Sequence, residues 1–438
     1  MEYYLNQDAH SVRDPYEKYR MAIWIYLFLL IFEGALRKWV LPQLATPLLI
    51  VRDPIVIWLY CVAIRKGWLN NIYVKVISVV STVSLLMTLI CGHQNLAVGI
   101  FGWRIYFFHL PMIFIIAKLL SRKDVLRIGT FILYISIPMT FLIISQFYSP
   151  QSAWVNIGIG GIETEGFAGA NGRMRPPGTF SFTSGYGCFQ RIVCCFLLFF
   201  LIENKSLPKN QRFSHLALLT ILTCYIIAIP TSISRTVVFQ TIALLTFVFV
   251  ATMLNGKIKG SIMKLIMIVA MAIIVVYSTG IADENIEAMS SRYEAAENVE
   301  GGLSGTIGNR YLGGLLDAFT SIDVPFWGYG IGLGTNVVSY LMGGDMYSFG
   351  FNGENEWTRI VGECGYLLGW TIILIRLSIG LFSLKKSYIC LVRKNDILPW
   401  ILCGGLLLSI PQGQLSVPTN LGFCVLSGGL TLASMKKE

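Results

Sequence analysis

Charge is what this sequence has least of. Only 13% of its 438 residues are Asp, Glu, Lys or Arg, whereas 55% are hydrophobic and the mean hydropathy is +0.64. A soluble domain carries about 25% charged residues, and a chain this apolar could not cover a water-facing surface. A soluble enzyme is excluded, as are disordered and fibrous chains. Histidine is scarce too. His10, His93, His109 and His215 are scattered, without HxxxH or HExxH pairing, so no zinc site built from protein ligands is expected. The ten cysteines include no CxxC pair and fall mostly in apolar runs, where cysteine acts as a small hydrophobe. There is no DxD motif, no internal repeat and no low-complexity tail. No cleavable leader is expected either. The first apolar run starts at Met21 and meets Glu33 and Arg37 instead of a small-residue cleavage site.

What is present is a series of apolar runs. A bilayer-crossing helix needs ~20 mostly apolar residues. By that measure the sequence predicts about twelve: 21–40, 47–64, 73–91, 98–117, 126–146, 187–203, 214–230, 235–253, 262–281, 356–384, 397–411 and 417–434. The fold class is therefore an all-α polytopic integral membrane protein. Its parts are transmembrane helices at 1–146, 187–281 and 356–438, separated by two long polar loops at 147–186 and 282–355. The second loop carries nine acids before Glu354, against only Arg292 and Arg310 as cations. Within it, 309–321 reads as a short helix capped by Asn309.

Basic residues orient the chain. With the N-terminus in the cytoplasm, alternate loops and both tails collect 22 of the 34 lysines and arginines, fifteen of them lysine. Both ends are thus expected inside, and the +10 net charge is a topology signal with no nucleic-acid partner implied. The other twelve are Lys38 and eleven arginines: 37, 52, 104, 173, 175, 191, 235, 292, 310, 359 and 376. Arginine's planar five-donor fork suits bidentate binding of phosphate or carboxylate, and it stays charged when desolvated. Arginines kept on the outer side, against the positive-inside trend, point to an anion held there.

Four clusters fall on that expected outer face. RMRPPGTFSFTSGYGCFQR (173–191) holds Arg173, Arg175 and Arg191 around a Pro-Pro-Gly turn. It reads either as a tight re-entry turn with interfacial arginines or as an anion site. Ser232-Ile233-Ser234-Arg235 opens the eighth span, where an arginine opposes the helix macrodipole. Asn309-Arg310 precedes PFWGYGIGLGTN (325–336), whose glycines do not match a dinucleotide fingerprint and suit a close-packed turn. NGENEWTRIVGECGYLLGW (352–370) leads into the tenth span. There Glu356, Arg359 and Glu363 share one helix face and read as an ion-pair ladder. Glu33 and Arg37 read as a similar i,i+4 pair. Glu356 is expected to be exposed or interfacial, where a pair is worth ~0–1 kcal/mol.

RPPGTF in an outer loop, an SxSR helix start, an outer-loop NR, a PxxGxGxG turn and then ENEW…ExGxxG occur here in one order over residues 170–370. Together they resemble the O-antigen polymerase and O-antigen ligase superfamily of bacterial polysaccharide assembly. FEGALRKWVLP (32–42) and LLIVRDP (48–54) resemble a polymerase-like subgroup of it. The resemblance implies a GT-C-like fold in the bacterial inner membrane. It implies a metal-independent, inverting glycosyltransferase without a cofactor, whose donor is an undecaprenyl-pyrophosphate-linked glycan. Membrane lipid, a chain-length regulator and a flippase are the implied partners. Carried over by motif, Arg175, Arg191, Arg235 and Arg310 bind the pyrophosphate, with Asn355, Arg359 and Glu363 supporting. Many members carry histidine nine residues before the motif's glutamate. Here that position is Glu354, so the candidate general base is a carboxylate and the ligase reading is the weaker of the two.

The chemistry stands without the family. A departing pyrophosphate needs its growing charge stabilised, which arginines can do. The attacking hydroxyl needs a base, worth typically ~100- to 10,000-fold. The competing class is a transporter such as a lipid-linked oligosaccharide flippase or exporter. That class places ionisable groups near mid-membrane, where only Arg52, Asp53, Arg104 and Arg376 qualify.

Overall fold

The computed structural model describes residues 14–163, 166–167, 169–256, 260, 274, 283–300, 324–335, 337–343 and 355–436. Their regular elements are helices, with no strand among the described residues. In chain order the helices are α1 (Glu17–Ala35), α2 (Asp53–Arg65), α3 (Ile72–Ile90), α4 (Leu96–Arg104), α5 (Met112–Leu119), α6 (Arg122–Tyr148) and α7 (Thr183–Glu203). Then follow α8 (His215–Thr231), α9 (Arg235–Leu254), α10 (Asp283–Glu300), α11 (Val338–Met342), α12 (Glu356–Lys394), α13 (Leu398–Leu407) and α14 (Pro418–Ser434). Among the described residues, nine helices are long and apolar enough to cross a membrane. The chain is a helical polytopic membrane protein. The expected span 262–281, the expected short helix 309–321 and Asn309-Arg310 lie outside the described residues.

Local chemistry sets many of the helix starts. Asn71, Asn95 and Ser214 accept backbone N–H bonds from the first turns of α3, α4 and α8, and Ser121 with Asp124 forms a capping box on α6. α7 is apolar all round and almost wholly buried, so it is the centre of the bundle. Around it α9 leaves Ile242, Phe249 and Met253 exposed, as a lipid-facing helix does. Small residues let the inner helices close up. Gly428 of α14 packs on Ile113 of α5, and Gly129 of α6 takes the ring of Phe196.

Contacts collect the helix ends into two groups. At one end Arg20 pairs with Asp14 and Asp124, Arg122 pairs with Asp396 and donates to the Ser434 carbonyl, and Lys436 donates to the Lys118 and Leu120 carbonyls. The N-terminal segment, the α5–α6 link, the α12–α13 link and the C-terminal segment therefore share an end, as the lysine and arginine pattern requires. At the other end lie the α1–α2 link, the 149–182 loop, the α8–α9 link and the glycine-rich turn.

Two expected spans differ from their sequence reading. The span at 356–384 is not one continuous rod. Gly365 takes φ +74°, and the helix doubles back there, so that Val361 Cα would lie 2.9 Å from a Cβ on Gly369. A side chain at Gly365 itself would run into the Phe326 carbonyl. The span at 397–411 is helical over only the ten residues of α13, about 15 Å or half a bilayer core. Residues 408–417, holding Pro411 and Gly413, continue as irregular chain until α14 returns. Non-helical backbone at that depth persists only where protein satisfies its polar groups. Arg376 donates to the Ile410 and Gly413 carbonyls at 2.7 Å each, Arg191 to Leu408 at 3.4 Å and Trp357 to Pro411 at 2.8 Å. Glu356 accepts the Leu415 N–H at 3.2 Å.

Candidate functional site

The doubled-back limb 356–364 carries the ladder foreseen from sequence, and the structure extends it. Arg359 meets Glu356 at 2.9 Å and Glu363 at 2.8 Å, and Arg376 meets Glu356 at 2.6 Å. Twenty residues apart on a straight helix, Glu356 and Arg376 would be separated by about 30 Å. The bend at Gly365 is what joins them. All four side chains are buried, and Tyr106 accepts from Arg359 at 3.2 Å. The expectation that Glu356 is exposed or interfacial is thereby corrected, because burial between two arginines makes it the hub of the ladder. Asn355 caps the limb through the Trp357 N–H at 3.2 Å. Glu363 also accepts the Gly334 N–H at 2.6 Å, while Tyr329 and Gly330 donate to the Gly362 and Glu363 carbonyls. The glycine-rich turn is close-packed, as its composition suggested. At Gly332, with φ +103°, an added Cβ would strike the Val98 carbonyl oxygen.

A second network joins α1, α2 and α4. Glu33 holds Arg37 at 3.7 Å and Arg52 at 3.2 Å, and Asp53 holds Arg104 and His109, the latter at 3.1 Å. The sequence pair Glu33–Arg37 is thus formed. With Arg376 on Glu356, the four residues that came nearest to a transporter's mid-membrane charges, Arg52, Asp53, Arg104 and Arg376, are all held in internal pairs.

The third group differs in kind. Arg175 follows the irregular loop after α6, Arg235 opens α9 and Arg292 projects from α10. Burial first, then the Arg292 and Arg235 charges, lower the Arg175 guanidinium to about 10. Its Nε is buried without a hydrogen-bond partner. Neighbouring Arg173 is engaged by Glu284 and lies over the Phe147 and Tyr148 rings. Tyr293 stands close to Arg235, and burial raises its phenol. The link that delivers Arg235 is strained. Ile233 is buried against Phe147 and Ala288 with φ +44°, a value β-branched residues rarely take.

The RPPGTF segment is fixed by α1 and α6. Gln146 accepts the Gly178 N–H at 2.8 Å, Thr179 donates to the Ile31 carbonyl at 2.6 Å, and Arg37 donates to Ser181 at 2.9 Å. A cavity of about 240 Å³ lies beside it, bordered by Arg175 and by Lys38 from the π-turn that ends α1. Arg175 therefore faces Arg235 and Arg292 as well as this cavity.

Of the residues singled out from sequence, the structure brings Arg175 and Arg235 together and joins Arg359 with Glu363. No described contact brings Arg191 to them. α7 starts at Thr183, which places Arg191 two turns inside the bundle beside Cys188 and the broken segment after α13. Glu354 and Arg310 lie outside the described residues. Arg292, Lys38 and Arg376 belonged to no sequence-assigned site. The available signal for Arg292 was its position as one of two cations in an acidic loop. Among the described residues, no group of three His, Cys, Asp or Glu is placed to hold a metal ion. Chemically, three arginines at a loop edge can hold a polyanion in several bidentate contacts and stabilise charge that develops on it. Comparison of the chain with family models, with curated proteins and with solved structures returns no match.

Proposed function

We propose that this protein is a polymerase of lipid-linked oligosaccharide repeat units. In this reading it is a GT-C-like, inverting glycosyltransferase of the bacterial inner membrane, with both termini cytoplasmic and its site on the outer face. The hydroxyl of an acceptor repeat unit attacks the anomeric carbon of the donor glycan. The bond from that carbon to the undecaprenyl pyrophosphate oxygen breaks, and the pyrophosphate leaves with the electron pair. Arg175, Arg235 and Arg310, joined by Arg292, hold the charge that appears on it. Glu354 accepts the proton of the attacking hydroxyl. Asn355 positions the limb that follows Glu354, and the Arg359–Glu363 pair ties that limb to the glycine-rich turn. Arg191 donates to the Leu408 carbonyl of the segment after α13 through one nitrogen, and its Nε and Nη2 are left for the pyrophosphate of the sequence reading.

The observation that carries the reading is the placement of Arg235 and Arg292 close enough to Arg175 to add to the lowering that burial imposes on its guanidinium. Several arginine forks gathered at one loop edge can bind a polyanion through more than one contact, so their convergence supports an anionic substrate. The test is polymer length on gels, with purified protein and a lipid-linked repeat unit. Arg235→Lys is expected to fail nearly as badly as Arg235→Ala, because lysine keeps the charge and loses the fork. Glu354→Gln is expected to leave single repeat units on the carrier. Normal ladders from Arg235→Lys and Glu354→Gln would remove both residues from the mechanism. Normal polymer that fails to reach lipid A-core would favour a ligase.

A further inference from the structure

Lys38 belongs to the RKW of the first sequence motif, which the polymerase chemistry leaves without a role. It is 3% exposed, and its Nζ donates to the Gly178 carbonyl at 3.3 Å. Among the described residues no carboxylate lies within ion-pair distance of it, although Arg37 and Arg52 in the α1–α2 region each have one. Lys38 borders the 240 Å³ cavity together with Arg175, Gln151, Met174, Phe167 and Phe182, and none of the described lining residues is acidic. Two of these groups have unused polar atoms, buried and without hydrogen-bond partners. They are the Arg175 Nε, a donor, and the Gln151 Oε1, an acceptor.

The recess therefore offers two basic side chains, one unpartnered side-chain acceptor and an apolar wall in which the Phe167 and Phe182 rings lie 5.5 Å apart. Among the described residues Lys38 Nζ is met by the Gly178 carbonyl and the Trp39 ring and by no carboxylate, so the composition favours a ligand with a negative charge. The acceptor on Gln151 calls for a hydroxyl on the same ligand, and the rings suit the C–H face of a sugar. The volume admits about one pyranose ring, well below that of a drug-sized pocket of ~300–1,000 Å³. Lysine is a point charge, matched to a single carboxylate, whereas a phosphate is better met by the arginine forks on the other side of Arg175.

We propose that this cavity binds an acidic monosaccharide residue, a pyranose bearing a carboxylate, with Lys38 on the carboxylate and Gln151 Oε1 on a ring hydroxyl. The assignment rests on the polymerase reading for its context. Because Arg175 borders both places, the acidic sugar is the one joined directly to the pyrophosphate.

The test reads binding and involves no polymer synthesis. Full-length protein in nanodiscs of neutral lipid is titrated with methyl glucuronide, methyl glucoside or inorganic pyrophosphate, followed by saturation-transfer NMR. Methyl glucuronide is expected to bind at about millimolar concentration and about tenfold more tightly than the glucoside. Lys38→Met should erase that preference, and Lys38→Arg should keep it. Gln151→Glu puts a carboxylate into the recess at nearly the same size, so it should reject the glucuronide whether or not Lys38→Met folds. Equal binding of the two glycosides, or glucuronide binding untouched by Gln151→Glu, would overturn the proposal. Competition of pyrophosphate with glucuronide in a Lys38-dependent manner would make the recess a phosphate subsite. A glucuronide signal abolished by phosphatidylglycerol nanodiscs would make it a lipid headgroup site. If Arg235→Lys polymerises normally while the glucuronide preference stands, the polymerase reading falls and the sugar site does not.

Discussion

Two groups of arginines, only a few helices apart, are built on opposite principles. In the ladder, Arg359 and Arg376 face Glu356 and Glu363, so two positive charges meet two negative ones in complete burial. In the cluster at the loop edge, Arg175, Arg235 and Arg292 are brought near one another, and burial, followed by the Arg292 and Arg235 charges, lowers the Arg175 guanidinium. The ladder's charges are consumed by the fold. They fasten a doubled-back limb and satisfy the carbonyls of a helix broken inside the membrane. In the proposed reading the cluster's arginines face an anion that arrives from outside.

Breaking the ladder should give the largest effect. Glu356→Gln leaves Arg376 and Arg359 short of an anion in a buried site, where loss of one partner costs about 3–5 kcal/mol. The expected result is a large drop in thermal midpoint in detergent, or loss of monodisperse protein. A midpoint within a degree or two of the parent would show that the ladder is solvated.

The cluster should respond in the opposite direction. Removing one of three like charges by Arg175→Gln is expected to leave the ligand-free protein as stable or more stable, by up to about 1 kcal/mol after solvent screening. It should also abolish stabilisation by added pyrophosphate. The sign follows from the lowered guanidinium of Arg175. Below pH about 10 the group is charged both folded and unfolded, so its penalty is fully present at neutral pH. The penalty fades only as pH climbs past the folded value of about 10, where the folded state sheds its proton first. Destabilisation of the ligand-free protein by Arg175→Gln at pH 7 would mean that Arg175 is a structural residue like those of the ladder.

The smallest effect is expected at the opposite end, where Arg122 and Asp396 pair at partial exposure. Asp396→Asn should cost no more than about 1 kcal/mol, because such a pair is screened by solvent. The midpoint in low salt and in high salt reads it: a small loss in low salt that vanishes in high salt is the expected pattern. A loss as large as that of Glu356→Gln would dissolve the distinction between seating charges and buried ones.

Part of the site was readable before any coordinates. Glu356, Arg359 and Glu363 follow from i, i+3 and i+7 spacing, because helical neighbours are local in sequence. Arg235 stood out as an arginine at a helix start. Arg376, Arg292 and Lys38 were not legible, and each for the same reason. Arg376 joins Glu356 only through a bend at one glycine, Arg292 reaches Arg175 only through the placement of α10, and Lys38 turns inward only because α1 ends in a π-turn. Gly365 lay inside a run that hydropathy reads as continuous, since hydropathy counts residues and is blind to φ.

The sequence by itself determined the solvent of this protein and the alternation of its helices. Both depend on composition: apolar runs of sufficient length partition into lipid, and lysine-rich links gather at one end. It also determined which segments are turns, because Pro-Pro-Gly and spaced glycines permit little else. Only the tertiary structure decided which charges cancel and which accumulate. Cancellation depends on distances between side chains remote in the chain, as with Arg52 on Glu33 or Arg376 on Glu356, and those distances are set by packing. Electrostatic energy falls with separation and rises with burial, and a sequence specifies neither until it is folded.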